Sequence, residues 1–99
     1  MLVRSGSRIG RSVQVKQGRR AKVLSSRVNG DVQYDANRGL LEANGNRIGG
    51  SIQVMGNSGG ARIYRNVVDG NLQCKENSPR PRGAGNRVGG NKEDQCRGF

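Results

Sequence analysis

The sequence predicts an all-β protein: a single-stranded, right-handed parallel β-helix, or β-solenoid, with about five coils of about twenty residues each. Three features support this prediction. Residue types recur at intervals of nineteen or twenty positions, apolar residues alternate with polar ones inside each repeat, and glycine or asparagine stands near the repeat boundaries. We expect a single domain, which is the usual result for a chain of 99 residues.

The repeat is clearest in two stretches that lie twenty residues apart. "NRIGGSIQVMGN" begins at Asn46 and "NVVDGNLQCKEN" begins at Asn66, and both place a branched apolar residue, a glycine and a glutamine at the same phase. The five repeats begin at Ser7, Ser26, Asn46, Asn66 and Asn86. A unit of this length is typical of one solenoid coil, which buries its inner face only against neighbouring coils.

The apolar residues of each repeat lie two positions apart, which is the alternation of a β-strand with one buried face. The seventh and ninth positions hold Val13 and Val15, Val32 and Tyr34, Ile52 and Val54, and Leu72 and Cys74. A helix would need apolar residues three and four apart, and the boundary glycines would weaken it. Each coil is therefore predicted to consist of short strands. We expect the turns between them at glycine and asparagine, which tolerate left-handed backbone.

The composition fits a solenoid better than a compact domain. Hydrophobic residues make up 31% of the chain, aromatic residues make up 3%, and the net charge is +11. Low hydrophobicity with high charge is typical of disorder, but a disordered chain would not hold its apolar residues at a fixed phase. A narrow solenoid lumen needs only small branched side chains, so this composition can still form a core.

Stacked coils would also align amide side chains, which form hydrogen-bonded ladders at strand spacing. The asparagine columns contain Asn46, Asn66 and Asn86 at one corner and Asn37, Asn57 and Asn77 at another. We expect them to point inward and bond the corner backbone; the alternative is that they are solvent-facing turn residues. The glutamine column contains Gln14, Gln33, Gln53 and Gln73. It neighbours inward positions, so it should face outward, as a structural ladder rather than a binding site.

The predicted domain spans 1–99, with a partial first coil over 1–6, regular coils over 7–85 and a C-terminal cap over 86–99. In the last repeat Lys92 and Asp94 replace the apolar inward pair, as expected of a terminal cap. Cys74 and Cys96 lie about one coil apart, so we predict a disulfide that fastens the cap. The alternative is two reduced thiols. A disulfide would indicate an oxidising compartment.

The opposite end, "MLVRSGSR", supplies part of a coil without an evident charged cap. An uncovered solenoid end is an unpaired strand edge, and such edges pair with other chains unless they are blocked. Either further coils precede this end in a longer protein, or this end packs on another copy, and we expect self-association through the first coil. The alternative is that Arg4, Arg8 and Arg11 block the edge by repulsion.

The segment "GNLQCKENSPRPRGAGNRVGGNKEDQC", from Gly70 to Cys96, resembles exported bacterial right-handed parallel β-helix repeat proteins of uncharacterised function. Their domains end in segments similar to "NLQCKEN" and "GNKEDQC", and rows such as "SRVNGDVQ" are also similar. The resemblance covers most of the chain, from about Ser7 onward. It implies a β-helix fold, export and a terminal cysteine pair, and it implies no enzymatic activity for particular residues.

Few residues of the chain are suited to catalysis. There is no histidine, so the commonest general base and metal ligand is missing. Asp31 and Asp35 are the best candidates for polysaccharide cleavage by a carboxylate pair, but no second acid stands at the same phase in the next repeat. We expect no enzymatic activity, no cofactor and no metal site. No apolar run approaches the about 20 residues that span a bilayer, and no signal peptide is visible.

The surface feature that recurs is cationic. The second position of the repeats holds Arg8, Arg27, Arg47, Val67 and Arg87, and a second partial column holds Lys22, Arg62 and Arg82, interrupted by Glu42. Arginine forms bidentate contacts with phosphate, sulfate and carboxylate, so these basic residues are candidates for binding a polyanion. The alternative is a solvated surface that prevents aggregation. Aromatic residues for base stacking are few: Tyr34, Tyr64 and Phe99.

Two functions follow as hypotheses. The first is a non-enzymatic structural role, in which a rigid solenoid rod self-associates into a homo-oligomer or filament. It would act outside the cytoplasm: in the extracellular space, at the cell surface or in the periplasm. The second is a binding module that holds an acidic polymer, either a polysaccharide or a nucleic acid, on its arginine stripe.

Overall fold

The computed structural model describes residues 2–3, 6–18 and 20–99, with the backbone only for Leu2 and Val3. These residues form fifteen short strands, which pair in parallel as three five-stranded sheets. Sheet A contains β1 (Leu2–Val3), β4 (Ala21–Leu24), β7 (Leu41–Asn44), β10 (Ala61–Tyr64) and β13 (Arg82–Ala84). Sheet B contains β2 (Arg8–Ile9), β5 (Arg27–Val28), β8 (Arg47–Ile48), β11 (Val67–Val68) and β14 (Arg87–Val88). Sheet C contains β3 (Val13–Lys16), β6 (Val32–Asp35), β9 (Ile52–Met55), β12 (Leu72–Lys75) and β15 (Lys92–Asp94).

The predicted parallel β-solenoid is confirmed. Consecutive strands belong to different sheets, and each strand pairs with the strand one coil away. The predicted number of about five coils is slightly too high. Five strands in a sheet are separated by four intervals, so the chain makes about four turns. The molecule measures 29 × 26 × 18 Å, so a single copy is not a rod.

The register of the strands locates the one short repeat. Arg8 pairs with Arg27 in sheet B and Val13 pairs with Val32 in sheet C, and both steps are nineteen residues. In sheet A, Ala21 pairs with Leu41, which is a step of twenty. The corner between sheets C and A therefore absorbs the missing residue in the first coil, between 18 and 21.

The core is built from columns of inward side chains. In the four-residue strands of sheets A and C, buried residues alternate with more exposed ones, as in β6 and β9. The column Val13, Val32, Ile52 and Leu72 is in strand register and buried along its whole length. Tyr34 also points inward and is fully buried. Its hydroxyl donates to the carbonyl of Glu42, 3.0 Å away.

Two asparagine ladders lie inside the corners, and Asn66 shows their geometry. Its Oδ1 accepts hydrogen bonds from the backbone N–H and the side-chain Nδ2 of Asn46, each 3.0 Å long. Its own Nδ2 donates to the Ala43 carbonyl (2.9 Å) and to Asn86 Oδ1 (3.0 Å). One side chain thus bonds the coil before it and the coil after it. Asn37, Asn57 and Asn77 repeat this arrangement at the second corner.

The left-handed backbone at these two corners lies one residue before each asparagine. Ala36 has φ of 52° and Arg65 has φ of 53°, whereas Gly45 and Gly56 occupy the equivalent positions in neighbouring coils with φ of 70° and 61°. The asparagines lie at these corners, as expected, but none of them is among the residues with positive φ. Their side chains instead bond the adjacent coils, and the residue before each of them makes the turn.

The third corner, between sheets B and C, has a polar column that the sequence analysis missed. Each side-chain oxygen accepts from the backbone N–H one coil later: Ser12 from Asp31, Asp31 from Ser51, Ser51 from Asn71, and Asn71 from Asn91. This column explains the glycines just before it. A Cβ at Gly50 would collide with Asp31 Oδ1, and a Cβ at Gly70 would collide with Ser51 Oγ. Glycine is needed there for space, not for backbone freedom.

Residues 95–99 fold across the C-terminal end of the solenoid and terminate the ladders. Gln95 Oε1 takes the place of the next asparagine, accepting from the N–H and Nδ2 of Asn77 at 3.0 Å each. The Phe99 carbonyl does the same for Asn86, also at 3.0 Å for each bond. The predicted disulfide joins Cys74 to Cys96, and both cysteines are fully buried.

Candidate anion-binding surface

Sheet B places three arginines side by side on the surface. Arg8 pairs with Arg27, and Arg27 pairs with Arg47, on three adjacent parallel strands. All three side chains are exposed, because they alternate with the inward residues Ile9, Val28 and Ile48. Adjacent strands lie about 4.8 Å apart. We call these three residues the arginine column.

The arginine column has no internal neutralisation. Over residues 6–18 and 20–99, its three guanidinium groups form no ion pair with a carboxylate. Two depressions lie beside it. One, of 290 Å³, is lined by all three arginines, and the other, of 450 Å³, is lined by Arg27 and Arg47 together with Asp69. Asp69 gives the second depression a local negative charge, so the first is the more favourable place for an anion.

The arginine column stops after three members. Val67 follows Arg47 in the register of sheet B, and Arg87 lies beyond Val67. Val67 is 38% exposed, the most exposed large hydrophobic side chain among the described residues. Arg87 is therefore separated from the arginine column by an apolar position.

The second set of predicted basic residues is split by an acid. In sheet A, Lys22 and Arg62 both pair with Glu42, one on each side, and Arg62 also pairs with Arg82. All three basic side chains are exposed, and Glu42 is half-buried. The order in this column is Lys22, Glu42, Arg62 and Arg82. Arg62 and Arg82 are therefore the two like charges that lie next to each other.

The glutamine column lies on the outer face of sheet C. Gln14 Nε2 donates to Gln33 Oε1 at 3.0 Å, and Gln33 Nε2 donates to Gln53 Oε1 at 3.1 Å. Gln73 lies in register with Gln53, and its Nε2 donates to Glu93 Oε2 at 2.5 Å. A carboxylate can only accept, so Glu93 is a suitable terminal residue. The amides of Gln14, Gln33 and Gln53 thus form one hydrogen-bonded run, and Gln73 bonds the Glu93 carboxylate instead.

The two acids considered for polysaccharide cleavage lie in different surroundings. Asp31 lies at the corner before β6, where its Oδ1 accepts the N–H of Ser51 at 2.7 Å. Asp35 lies at the end of β6, in register with Lys16. Among the described residues, no group of three or more acids and cysteines could hold a metal ion. Arg4, considered as a block to the first strand edge, lies outside the described residues.

The aromatic side chains are largely withdrawn from the surface. Tyr34 is fully buried and Phe99 is 8% exposed, whereas Tyr64 is half-buried. Burial raises the pKa of the Tyr34 hydroxyl far above its ordinary value, and the charge of Glu42 adds to the rise. Tyr34 is therefore a neutral core residue, and its hydroxyl donates a hydrogen bond to the Glu42 carbonyl.

The fold and this surface define a small parallel β-solenoid with an exposed, uncompensated arginine column. No protein-family model matches the chain, and no curated protein and no solved structure matches it. In the part of the chain that the structure describes, no helix is long and apolar enough to cross a membrane.

Proposed function

We propose that this β-solenoid is a non-enzymatic module that binds an acidic polymer through the arginine column and acts outside the cytoplasm. The observation that carries the proposal is the register of Arg8, Arg27 and Arg47 on adjacent strands. Like charges at this spacing repel one another by about 1 kcal/mol per pair in water-like surroundings. A polymer with regularly spaced anionic groups relieves that repulsion, and each guanidinium fork can bind a carboxylate or a sulfate.

An acidic polysaccharide is a better ligand for this surface than a nucleic acid. Single-stranded nucleic acids are held by stacking on exposed aromatic side chains, and here Tyr34 and Phe99 are buried. The arginine column places three like charges on adjacent strands about 4.8 Å apart. A polysaccharide with one acidic group on each ring can bring an anion to each guanidinium group without any need for base stacking.

The disulfide supports a location outside the cytoplasm. Cys74 and Cys96 are joined and buried in the cap, and structural disulfides persist in oxidising compartments. The extracellular space, the cell surface and the periplasm are all oxidising. The resemblance to exported bacterial β-helix proteins supports the same locations.

The proposal is tested by retention on immobilised heparin under a salt gradient. In the double variant Arg27→Glu/Arg47→Glu, elution should move to markedly lower salt, because two of three adjacent contacts become repulsive. The matched control is Arg38→Glu/Arg97→Glu, which changes the net charge equally at exposed positions elsewhere. Equal shifts in the two variants would mean that only net charge matters, and the arginine column would not be the binding site.

Self-association is the second candidate, and one observation favours it. Among the described residues, β1, β2 and β3 each have a strand neighbour on one side only. Unpaired strand edges of this kind bind other strands. At the opposite end β13, β14 and β15 are the outer strands, and residues 95–99 cover part of them, with Phe99 against Gly83 and Asn86. We therefore expect two copies to pair through their first strands, which joins like ends as a closed dimer. One copy measures 29 × 26 × 18 Å and is therefore not elongated. A rod would require several copies joined end to end.

Light scattering of the 99-residue chain under non-reducing conditions, at low and high salt, tests this second candidate. A dimer that persists at high salt supports pairing of the strand edges, since backbone hydrogen bonds are little screened by salt. A monomer at all concentrations rules out self-association and leaves polymer binding as the function.

A further inference from the structure

We infer that the corner between sheets C and A carries a separate binding site for a small amphipathic anion, meaning a carboxylate, sulfate or phosphate joined to an apolar ring or short chain. The site is a groove beside the turn that contains Pro79, Arg80 and Pro81. It does not include the arginine column, which lies on sheet B, so it does not depend on the polymer-binding proposal.

The groove exists because one side chain is missing from a column. Leu40, Gly60 and Arg80 occupy the same place in three successive coils, as the pairings of the strands that follow them show. Gly60 has φ of 90°, a conformation that other residues rarely adopt. A Cβ built there would lie 3.6 Å from Leu40 Cδ1 and 4.0 Å from Pro79 Cγ. The gap at Gly60 is thus bounded by apolar atoms.

The groove has a size suited to a small molecule. Its volume is 630 Å³, within the range of about 300–1,000 Å³ that is usual for ligand sites. Leu40, Pro79 and Pro81 form its apolar wall. Pro81 is buried, Leu40 is half-buried and Pro79 is exposed, so the fold holds the first two in place and Pro79 forms the outer edge of the wall.

The remaining wall of the groove is cationic. Arg62, Arg80 and Arg82 line it, and no acidic residue does. Glu42 lies next to Arg62 in sheet A and offsets one of these charges in part. Arg80 and Arg82 have no such neighbour in the described register. A guanidinium group can bind the anion with its edge and contact an apolar or aromatic body with its face.

These two walls together specify the class of ligand. Inorganic phosphate would leave the leucine and the prolines unused, and a neutral apolar compound would leave the guanidinium groups without an anion. A compound with both parts uses the whole groove. Because the groove is open to solvent, we expect dissociation constants in the micromolar to millimolar range.

Fluorescence titration tests the inference, with anilinonaphthalene sulfonate as the anionic probe and phenylnaphthylamine as its neutral counterpart. The wild-type chain should bind the anionic probe at least about tenfold more tightly than the neutral one, which corresponds to about 1.4 kcal/mol. Arg80→Gln/Arg82→Gln should lose most of this preference. The control Arg38→Gln/Arg97→Gln should keep it, and equal melting temperatures would show that both variants are folded.

Three results would overturn the inference. The first is equal weakening in both double variants, which would mean that overall charge attracts the probe. The second is equal binding of the two probes. The third is co-sedimentation with phosphatidylglycerol vesicles that is lost in Arg80→Gln/Arg82→Gln, since the anion would then be a membrane headgroup rather than a small soluble ligand. Heparin retention tests the arginine column independently, so the two sites can fail separately.

Discussion

Phe99 packs its ring directly on Gly83. Gly83 is the strand partner of Ile63 one coil later in sheet A, in the same inward-facing column. A Cβ at Gly83 would collide with the Ile63 carbonyl oxygen, and it would come within 2.5 Å of Phe99 Cδ2 and 2.8 Å of Phe99 Cγ. The absence of a side chain at Gly83 therefore leaves space for the Phe99 ring at the C-terminal end of the core. Phe99 is 8% exposed, and its carbonyl at the same time closes the ladder of Asn86.

Gly83→Ala should therefore destabilise the protein by about 1–3 kcal/mol, the usual cost of forcing extra volume into a packed site. Urea unfolding measures the change in free energy. Gly10→Ala is the matched control, because a Cβ at Gly10 would meet nothing within 4 Å, and it should change stability by less than about 0.5 kcal/mol. If the two variants are equally stable, Phe99 does not pack on Gly83 in solution.

Asn66→Ala should be more damaging than most alanine substitutions in this chain. The buried amide bonds the backbone and side chain of Asn46, and it also bonds the Ala43 carbonyl. Its removal leaves several buried polar groups without partners, each costing about 1–3 kcal/mol, so we expect a loss of about 3 kcal/mol or more. Chemical denaturation measures this loss. Asn29→Ala, at an exposed position, should have little effect, and similar values for the two would contradict the ladder.

Alkaline stability should depend on Tyr34. Its pKa is raised by burial and by Glu42 above the ordinary value of 10.0, so the folded state keeps the proton after the unfolded state has lost it. The sign follows: above about pH 10 the unfolded state binds fewer protons, and the free energy of unfolding falls as pH rises. Below that pH this contribution is constant.

Tyr34→Phe should reduce this alkaline loss and should lower stability near neutral pH by about 1 kcal/mol through the lost bond to the Glu42 carbonyl. Denaturation curves at several pH values between neutrality and pH 11 measure both effects. Tyr64→Phe, at a half-buried position, serves as the control for removing a tyrosine. An unchanged alkaline slope in Tyr34→Phe would contradict the assignment.

Ala36→Gly should stabilise the fold. Ala36 has φ of 52°, and Gly56 occupies the same corner one coil later with φ of 61°. A left-handed conformation costs an L-residue about 1–2 kcal/mol, and glycine removes this cost. Glycine also loses more conformational freedom on folding, which offsets part of the gain. We expect a gain of about 0.5–1 kcal/mol in thermal or urea unfolding. The same change at Ala84, an exposed residue of β13, should be destabilising.

The period of the sequence was sufficient to predict the sheets, because a solenoid converts sequence spacing directly into contact. Ile52 and Leu72 stand twenty residues apart, and the structure pairs them. The disulfide followed from the same reasoning. Five repeat starts overestimate the number of turns, because the turns are the intervals between the five strands of each sheet.

Other features could not be predicted because they do not appear as a residue type that recurs in the repeat. The column from Ser12 to Asn91 uses serine, aspartate and asparagine oxygens in the same role, so no single letter recurs. Gln95 and Phe99 lie outside the repeat, and their function arises only when the chain folds back over its own end. The groove at Gly60 depends on a side chain that is missing from one coil, which the repeat alone does not reveal.

The direction of the amide ladders has a consequence for how this chain matures. Each asparagine oxygen accepts from the coil before it, as Asn66 does from Asn46. A newly synthesised coil therefore leaves its corner amides open until the following twenty residues have been made. Growth from the ribosome would complete the coils in order, each one sealing its predecessor. Asn77 and Asn86 would gain their last hydrogen-bond acceptors only once Gln95 and Phe99 had been made and had folded over them.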